Sequence, residues 1–124
     1  MDNPKEVWIS DTCIIIDLFN AGILNHLFSL DYSIKTTDFV IREVFSIDKE
    51  HLSEFDVVKT SAEEMEELIK IRTLQPGLSI TDISVYYHAK KEGFVLITGD
   101  NLLRKTAQRN GVNVHGLLWI TMDS

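Results

Sequence analysis

Hydrophobic and polar positions fall into blocks along this chain, and the length of each hydrophobic block indicates a strand or a helix. Residues 7–10 form a short apolar run that is typical of a strand buried on both faces of a parallel sheet. Residues 12–19 form a longer run that predicts a helix, and residues 20–22 have the composition of a helix stop. A single carboxylate, Asp11, stands between the two runs, where the predicted strand ends and the helix begins.

Strand and helix patterns continue to alternate along the rest of the chain. Strands are predicted at residues 32–36, 56–59, 94–97 and 112–114, with 56–59 at an edge of the sheet. Helices are predicted at 23–30 and 37–45, after a capping box at 61–64, from 79 to about 91, and after 101. Turn residues at 75–77, 93 and 110–111 separate them. This order predicts an α/β fold, a three-layer α/β/α sandwich with a mostly parallel central sheet.

The spacing of apolar residues also predicts which helix faces are buried. Only Arg42 and Glu43 interrupt the apolar side chains of the helix at 37–45, so this helix should be largely buried. The helix after residue 101 is expected to turn four side chains inward, namely Leu102, Leu103, Thr106 and Ala107.

Length and composition narrow the class of protein. With 124 residues, 44% of them hydrophobic, the chain suits one compact domain over residues 1–124. An apolar element begins at 116–120, so we expect a C-terminal helix that is cut short or belongs to a longer chain. No apolar stretch approaches the roughly 20 residues of a membrane span, and no signal peptide is visible. The single Cys13 lies in an apolar run, which predicts a buried thiol in a cytoplasmic protein.

Charge and histidine content point to acidic rather than histidine-based chemistry. The net charge of -7 argues against nonspecific nucleic-acid binding, which depends on Lys and Arg at phosphates. It is compatible with a carboxylate site that binds a cation. The histidines have no metal-ligand spacing, and each is expected to be a surface or packing residue: His26, His51, His88 and His115.

Four carboxylates stand at helix starts or inside an apolar helix: Asp11, Glu43, Asp82 and Asp100. Asp11 and Asp100 share one context, in which an apolar strand is followed by a small polar residue, the aspartate and a helix. On adjacent parallel strands these two would meet at the sheet edge where ligands bind. Each carboxylate also has a structural explanation. Asp11 and Asp100 could cap helices, and Asp82 could complete a capping box with Ser79. Glu43 could pair with Arg42, Lys35 or another base.

Electrostatics favours a cation if these carboxylates gather. Two unit charges about 4 Å apart repel by roughly 4 kcal/mol at an effective dielectric near 20. Several such pairs would offset much of a typical domain stability of about 5–15 kcal/mol. A cluster of this kind persists if a cation neutralises it or if some members stay protonated. A site with oxygen ligands alone suits Mg²⁺ or Mn²⁺.

In their order and spacing these motifs resemble those of a PIN domain, the nuclease family that includes the VapC-type toxins of toxin–antitoxin pairs. The resemblance spans nearly the whole chain. The matching positions are Asp11-Thr12 after the first strand, Glu43 within residues 40–44, Asp82 before the helix at 83–91, Thr98-Gly99-Asp100 after the strand at 94–97, and residues 111–114.

The resemblance implies a metal-dependent endoribonuclease that hydrolyses RNA phosphodiesters with Mg²⁺ or Mn²⁺. It makes Asp11, Glu43, Asp82 and Asp100 both the metal ligands and the catalytic residues. Thr12 and Thr98 would orient ligands or water. Asn101 stands where many relatives carry another polar or acidic residue, and it keeps an oxygen ligand without adding charge. RNA would approach past bases drawn from Lys35, Arg42, Arg104, Lys105 and Arg109.

The toxin resemblance also implies protein partners, and two other functions stay open. A cognate antitoxin and a second copy of the chain are candidate partners, with the apolar face of residues 12–30 and residues 117–120 as contact surfaces. One alternative is a catalytically degenerate PIN-like domain that acts as an RNA- or protein-binding module. The other is a phosphatase-like or receiver-type domain in which one aspartate is phosphorylated, and it leaves Glu43 unexplained.

Overall fold

The computed structural model describes residues 7–22, 33–44 and 55–116. The helix predicted at 23–30 lies outside these residues, as do His26, His51 and all but the first residue of the element predicted at 116–120. The described residues form strands β1 Val7–Ser10, β2 Ser33–Thr37, β3 Asp56–Val58, β4 Val95–Ile97 and β5 Val114–His115. Their helices are α1 Thr12–Asn20, α2 Asp38–Glu43, α3 Ala62–Leu74, α4 Ile80–Glu92 and α5 Asn101–Arg109.

The strands form one parallel sheet in the order β3-β2-β1-β4-β5. This arrangement confirms the predicted α/β fold, and β3 lies at an edge as its sequence indicated. The last strand begins two residues later than predicted, at Val114 instead of Val112. Because β1 is central and β4 is its neighbour, the strands that precede Asp11 and Asp100 run side by side.

Local sequence signals set the ends of the helices. The structure confirms the capping box that begins α3, formed by Ser61 and Glu64, and α4 begins with a second one formed by Ser79 and Asp82. Gly93 ends α4 with φ 73°, a left-handed conformation that side chains with a Cβ seldom adopt. Within the described ranges, none of the helices is long and apolar enough to cross a membrane.

The core lies between the sheet and its helices. Strand side chains such as Ile9 and Leu96 are fully buried, and they pack with buried residues of α1 that include Ile15 and Leu18. Helix α4 is the most extensively buried helix among those described, with Thr81, Ile83, Ser84, Val85, Tyr86, His88 and Ala89 inside. Two of these are hydroxyl residues near the start of α4, so polar groups are built into the core close to Asp82.

Three predictions about burial are wrong. Cys13 is exposed, because Ile14, Ile15 and Leu18 turn the opposite side of α1 to the core. Leu102 is 41% exposed, since the inward stripe of α5 holds Leu103, Thr106 and Ala107 and leaves Leu102 one position off it.

Helix α2 is also less buried than its apolar composition predicted. It has six residues, and Val40 is its one buried side chain, while Arg42 and Glu43 are exposed. A helix of less than two turns can direct only a narrow stripe at the core. Glu43 therefore ends α2 at the surface, where solvent or a ligand can reach it.

Candidate active site

The edge formed by the ends of β1 and β4 brings Asp11 together with the segment that leads to Asp100. Ser10 pairs with Ile97 in the sheet, so both strands end at the same level. The backbone N–H of Asp11 donates to the carbonyl of Ile97 at 3.3 Å. The two strands are therefore adjacent, which is the condition under which the sequence placed Asp11 and Asp100 at one edge, and their carboxyl ends create one polar edge.

Asp11 is the buried centre of this edge. It is only 4% exposed, and its carboxylate accepts the N–H of Ile14 at 2.9 Å and the hydroxyl of Thr98. Burial raises the pKa of Asp11 above its ordinary value, and the negative charges of Asp82 and Asp100 raise it further. The hydrogen bonds from Thr98 and Ile14 act in the opposite direction. The site therefore disfavours the negative charge of Asp11, which a nearby cation would stabilise.

Asp100 and Asp82 both cap helices, which is the structural role that the sequence allowed for each of them. Asp100 is the N-cap of α5 and accepts the N–H of Leu103 at 2.8 Å. Asp82 accepts the N–H of Ser79 at 3.2 Å in the capping box of α4. Both nevertheless lie near enough to act on Asp11 as like charges. Capping and membership of the carboxylate cluster are thus compatible in this fold.

Glu43 is connected to the same edge through two hydroxyl groups. Thr12 donates to its Oε2 at 3.0 Å, and Thr81 donates to its Oε1 at 2.6 Å. These threonines directly adjoin Asp11 and Asp82, respectively. Sequence reasoning missed Thr81, because a threonine in the first turn of a helix gives no sign of the partner that tertiary packing brings to it.

The bases proposed as partners of Glu43 have other neighbours. Lys35 forms a salt bridge with Asp56 at the edge of the sheet. Arg42 lies over the ring of Phe39, with 5.5 Å between the guanidinium carbon and the ring centroid. Within the described part of the chain, the contacts made by Glu43 are therefore those of an acceptor of hydroxyl hydrogen bonds, not of an ion pair.

The auxiliary residues differ in how they are held. Thr98 is 2% exposed, donates to Asp11 and accepts the backbone N–H of Asp100 at 3.1 Å. Asn101, the first residue of α5, accepts a hydrogen bond from Arg104 at 2.9 Å. Thr98 thus joins the Asp11 carboxylate to the backbone of Asp100, whereas Asn101 makes a contact along its own helix.

The donor chemistry suits a hard divalent cation, but the donors do not yet converge. All four acidic side chains offer oxygen, the ligand that Mg²⁺ and Mn²⁺ prefer. Across residues 7–22, 33–44 and 55–116, no three acidic, histidine or cysteine side chains are grouped tightly enough to hold a metal ion. Each of the four carboxylates accepts a hydrogen bond from a backbone N–H or a hydroxyl through at least one oxygen.

The His88 side chain lies in a polar network apart from this edge. His88 is buried and bonds the hydroxyl of Thr60 through Nε2 at 3.1 Å, which confirms the packing role expected for it. Its position in α4, with Glu64 and Lys91 nearby, places it in a separate polar network.

Solved structures with the same architecture include three that cover most of this chain. PAE2754 from Pyrobaculum aerophilum aligns with a TM-score of 0.68 and 17% identity, over 97% of each chain. VapBC2 from Rickettsia felis, bound to a DNA fragment from its promoter, aligns at 0.58 and 18% identity, over 89% of this chain and 98% of that one. A toxin–antitoxin complex from Klebsiella pneumoniae aligns at 0.56 and 22% identity, over 74% and 85%.

The sequence comparison identifies the family. No curated protein matches the sequence significantly. The family DUF3368, described as a PIN domain, matches residues 7–123, nearly the full length. This match excludes the phosphatase-like or receiver-type alternative. It is consistent with the position of Asp11 and Asp100 after the adjacent strands β1 and β4. The chain belongs to the PIN-domain family.

Proposed function

We propose that this protein is a metal-dependent endoribonuclease whose active site is the edge formed by Asp11, Glu43, Asp82 and Asp100. The observation that carries the proposal is the state of Asp11, a buried carboxylate whose pKa burial raises and the charges of Asp82 and Asp100 raise further. A fold gains nothing in stability from such repulsion. A bound cation would offset this repulsion, and enzymes that hydrolyse phosphodiesters commonly bind divalent metal ions at their active sites.

The four carboxylates would hold Mg²⁺ or Mn²⁺ through oxygen atoms. When bound, such an ion lowers the pKa of a ligated water and neutralises charge on the scissile phosphate. Thr98 fixes the Asp11 carboxylate from one side, while the N–H of Ile14 fixes it from the other. Thr12, the residue after Asp11, donates its hydroxyl to Glu43. In this proposal the hydroxyls keep the acidic groups oriented, and no side chain acts as a nucleophile.

RNA would approach along α5, the helix that starts at Asp100. Arg104, Lys105 and Arg109 are exposed on this helix and can contact phosphates. This local basic surface offsets the net charge of -7, which by itself opposes binding to RNA. Lys35 is a weaker candidate for this role, because its ammonium group is already paired with Asp56.

We also propose that the protein works as the toxin of a toxin–antitoxin pair in the cytoplasm. Two structures of similar fold are a VapBC complex and a toxin–antitoxin complex, which supports a protein antitoxin as partner. An antitoxin that places a basic side chain at the acidic edge would compete with the metal ion. Pairing with a second copy of the chain and the single-domain extent of residues 1–124 stay predictions.

The test is cleavage of RNA by the purified protein with Mg²⁺, with Mn²⁺ and with a chelator. Asp11→Asn keeps a residue that caps helices well but removes the buried charge. It should lower the rate by about 100-fold or more, because even the outer partners of metal ligands cost 10–100-fold when lost. The matched control is Asp17→Asn, an exposed aspartate on the same helix, which should cleave like the original protein. Equal cleavage by both variants, or cleavage that survives the chelator, would refute the proposal.

A second candidate function is binding without cleavage. It is favoured by the incomplete convergence of the acidic groups in the described residues and by the absence of charge at Asn101. In this case the protein would retain RNA or a protein partner and leave RNA intact with either metal ion. Sequencing the ends of cellular RNA after incubation with the protein, with and without metal, separates the two functions.

A further inference from the structure

We propose that Thr81 is a positioning residue for Glu43 and sets where this carboxylate stands in the active site. The inference rests on the proposed function, because it assigns a role to a residue that serves the same acidic edge. Thr81 is 5% exposed and donates its hydroxyl to Glu43 Oε1 at 2.6 Å, a short charge-assisted hydrogen bond. The contact joins the second residue of α4 to the last residue of α2.

Helix α2 cannot orient Glu43 by itself. It has only six residues, and Glu43 is exposed at its C-terminal end, where a helix frays most easily. A glutamate in such a position loses rotamer freedom only if another element holds its carboxylate. Thr81 holds one oxygen and Thr12 holds the other, at 3.0 Å, so both acceptor atoms have partners from outside α2.

A second connection fixes the other end of α2 to the same helix. Thr37, the N-cap of α2, and Ser84 of α4 have their hydroxyl oxygens 2.8 Å apart, and both side chains are fully buried. Ser84 donates its hydrogen to the carbonyl of Thr81 at 2.6 Å. A hydroxyl has one hydrogen, so Thr37 must be the donor to Ser84.

These hydrogen bonds fix the position of α2 relative to α4. Thr37 binds α4 where α2 begins, and Glu43 binds α4 where α2 ends. Because Thr81 directly precedes Asp82, the same turn of α4 carries one acidic group of the site and fixes another. The distance between Glu43 and Asp82 is therefore set by the start of α4.

The experiment measures Mn²⁺ binding by thermal stabilisation of the full chain, without turnover. Thr81→Val removes the hydroxyl at almost constant size, and Thr81→Ser restores it. We expect the valine variant to bind Mn²⁺ about tenfold more weakly, as outer-shell partners of metal ligands usually do, and the serine variant to bind within about twofold of the original protein. Thr106→Val on α5 is the matched control, because Thr106 is also 5% exposed, and it should leave the affinity unchanged.

Glu43→Ala tests whether Thr81 acts through Glu43. In this background, Thr81→Val should weaken Mn²⁺ binding no further, since the partner of the hydroxyl is gone. The inference is overturned if Thr81→Val binds like the original protein, or if the two substitutions weaken binding independently.

A metal-free cycle separates failure of this inference from failure of the proposed function. If the original protein shows neither Mn²⁺ binding nor RNA cleavage, the proposed function is wrong. The denaturation midpoints of the single and double variants without metal then decide the role of Thr81. If the double variant loses less stability than the sum of the two single variants, positioning through the hydrogen bond is supported. If the losses of stability are additive, the inference is overturned.

Discussion

Helices α3 and α4 begin with the same local structure and yet belong to different parts of the protein. In α3 the Ser61 hydroxyl accepts the N–H of Glu64 at 3.1 Å, and Glu64 accepts the N–H of Ser61 at 2.9 Å. In α4 the corresponding distances between Ser79 and Asp82 are 3.0 and 3.2 Å. Each box satisfies two backbone donors at the start of a helix of 13 residues.

The two acidic groups have charged neighbours of opposite sign, a lysine for Glu64 and a carboxylate for Asp82. Glu64 accepts a hydrogen bond from Lys91 at 2.7 Å, and this bond is the main reason that its pKa falls to about 2. Asp82 instead contributes a like charge that raises the pKa of Asp11. A capping box therefore does not by itself indicate whether its acidic residue has a structural or a functional role. A carboxylate paired with a base stabilises the fold, whereas Asp82 acts on Asp11 as a like charge, which is the property that the proposed cation site uses.

The largest expected difference between the two boxes is in the response to metal. At a Mn²⁺ concentration of 100 times the dissociation constant, binding should stabilise the protein by about 2.7 kcal/mol, or roughly 10 °C in Tm. Glu64→Gln should keep this shift, because the charge it removes is paired with Lys91 and is not one of the charges that raise the pKa of Asp11. Asp82→Asn should abolish it, since the amide can still cap α4 but is a much poorer ligand. Thermal unfolding with and without Mn²⁺ measures both.

The metal-free midpoints of these variants serve as the control. If Asp82→Asn is destabilised without metal and still responds fully to Mn²⁺, then Asp82 is a cap alone, and the contrast between the two boxes disappears.

A smaller effect is expected from the serines, and it should be the same in both boxes. Ser61→Ala and Ser79→Ala each remove one cap hydrogen bond and should each cost about 1 kcal/mol of unfolding free energy. Urea denaturation measures this loss. A cost at Ser79 that is much larger than at Ser61 would mean that the two boxes already differ at the local level, contrary to their matching geometry.

The smallest expected effect is on the pH dependence of stability, where Glu64 and Asp11 have opposite signs. The lowered pKa of Glu64 gives stability that is present above its usual value of 4.5 and is lost as the pH falls toward about 2. The raised pKa of Asp11 is a penalty at neutral pH that is relieved as the pH falls through its folded value. Because Lys91 is exposed, solvent screens its ion pair with Glu64, and the pair contributes little to the free energy of unfolding.

Urea midpoints measured from neutral to acidic pH test these signs. Glu64→Gln should reduce the loss of stability in acid, and Asp11→Asn should increase it, because the variant lacks the compensating relief. The two variants are each other's control. A change in the same direction for both would contradict the difference between the paired and the repelling carboxylate.

Much of the fold could be predicted because its signals are local. The apolar run before Asp11, the boxes at Ser61 and Ser79 and the stop at Gly93 each depend on residues close in sequence. The burial errors at Cys13 and Leu102 arose one position away from a correct stripe, since hydrophobicity reports that a helix has an inner face but not its exact rotation.

The candidate site was only partly predictable. Asp11 and Asp100 could be paired from their shared context at the ends of two strands. Thr81 could not be found in this way, because 38 residues separate it from Glu43. The same limit applied to Lys91, whose bond with Glu64 spans 27 residues.

The sequence by itself determined the strand and helix order, the starts and stops of most described helices and the acidic residues available for a site. These follow from backbone hydrogen bonding and hydrophobic periodicity, which act over one or two turns. Only the tertiary structure decided which carboxylate is paired with a base and which acts on another carboxylate as a like charge. That choice depends on Coulomb interactions and hydrogen bonds between distant segments, and it separates Glu64 from Asp82 although their local sequences give the same cap.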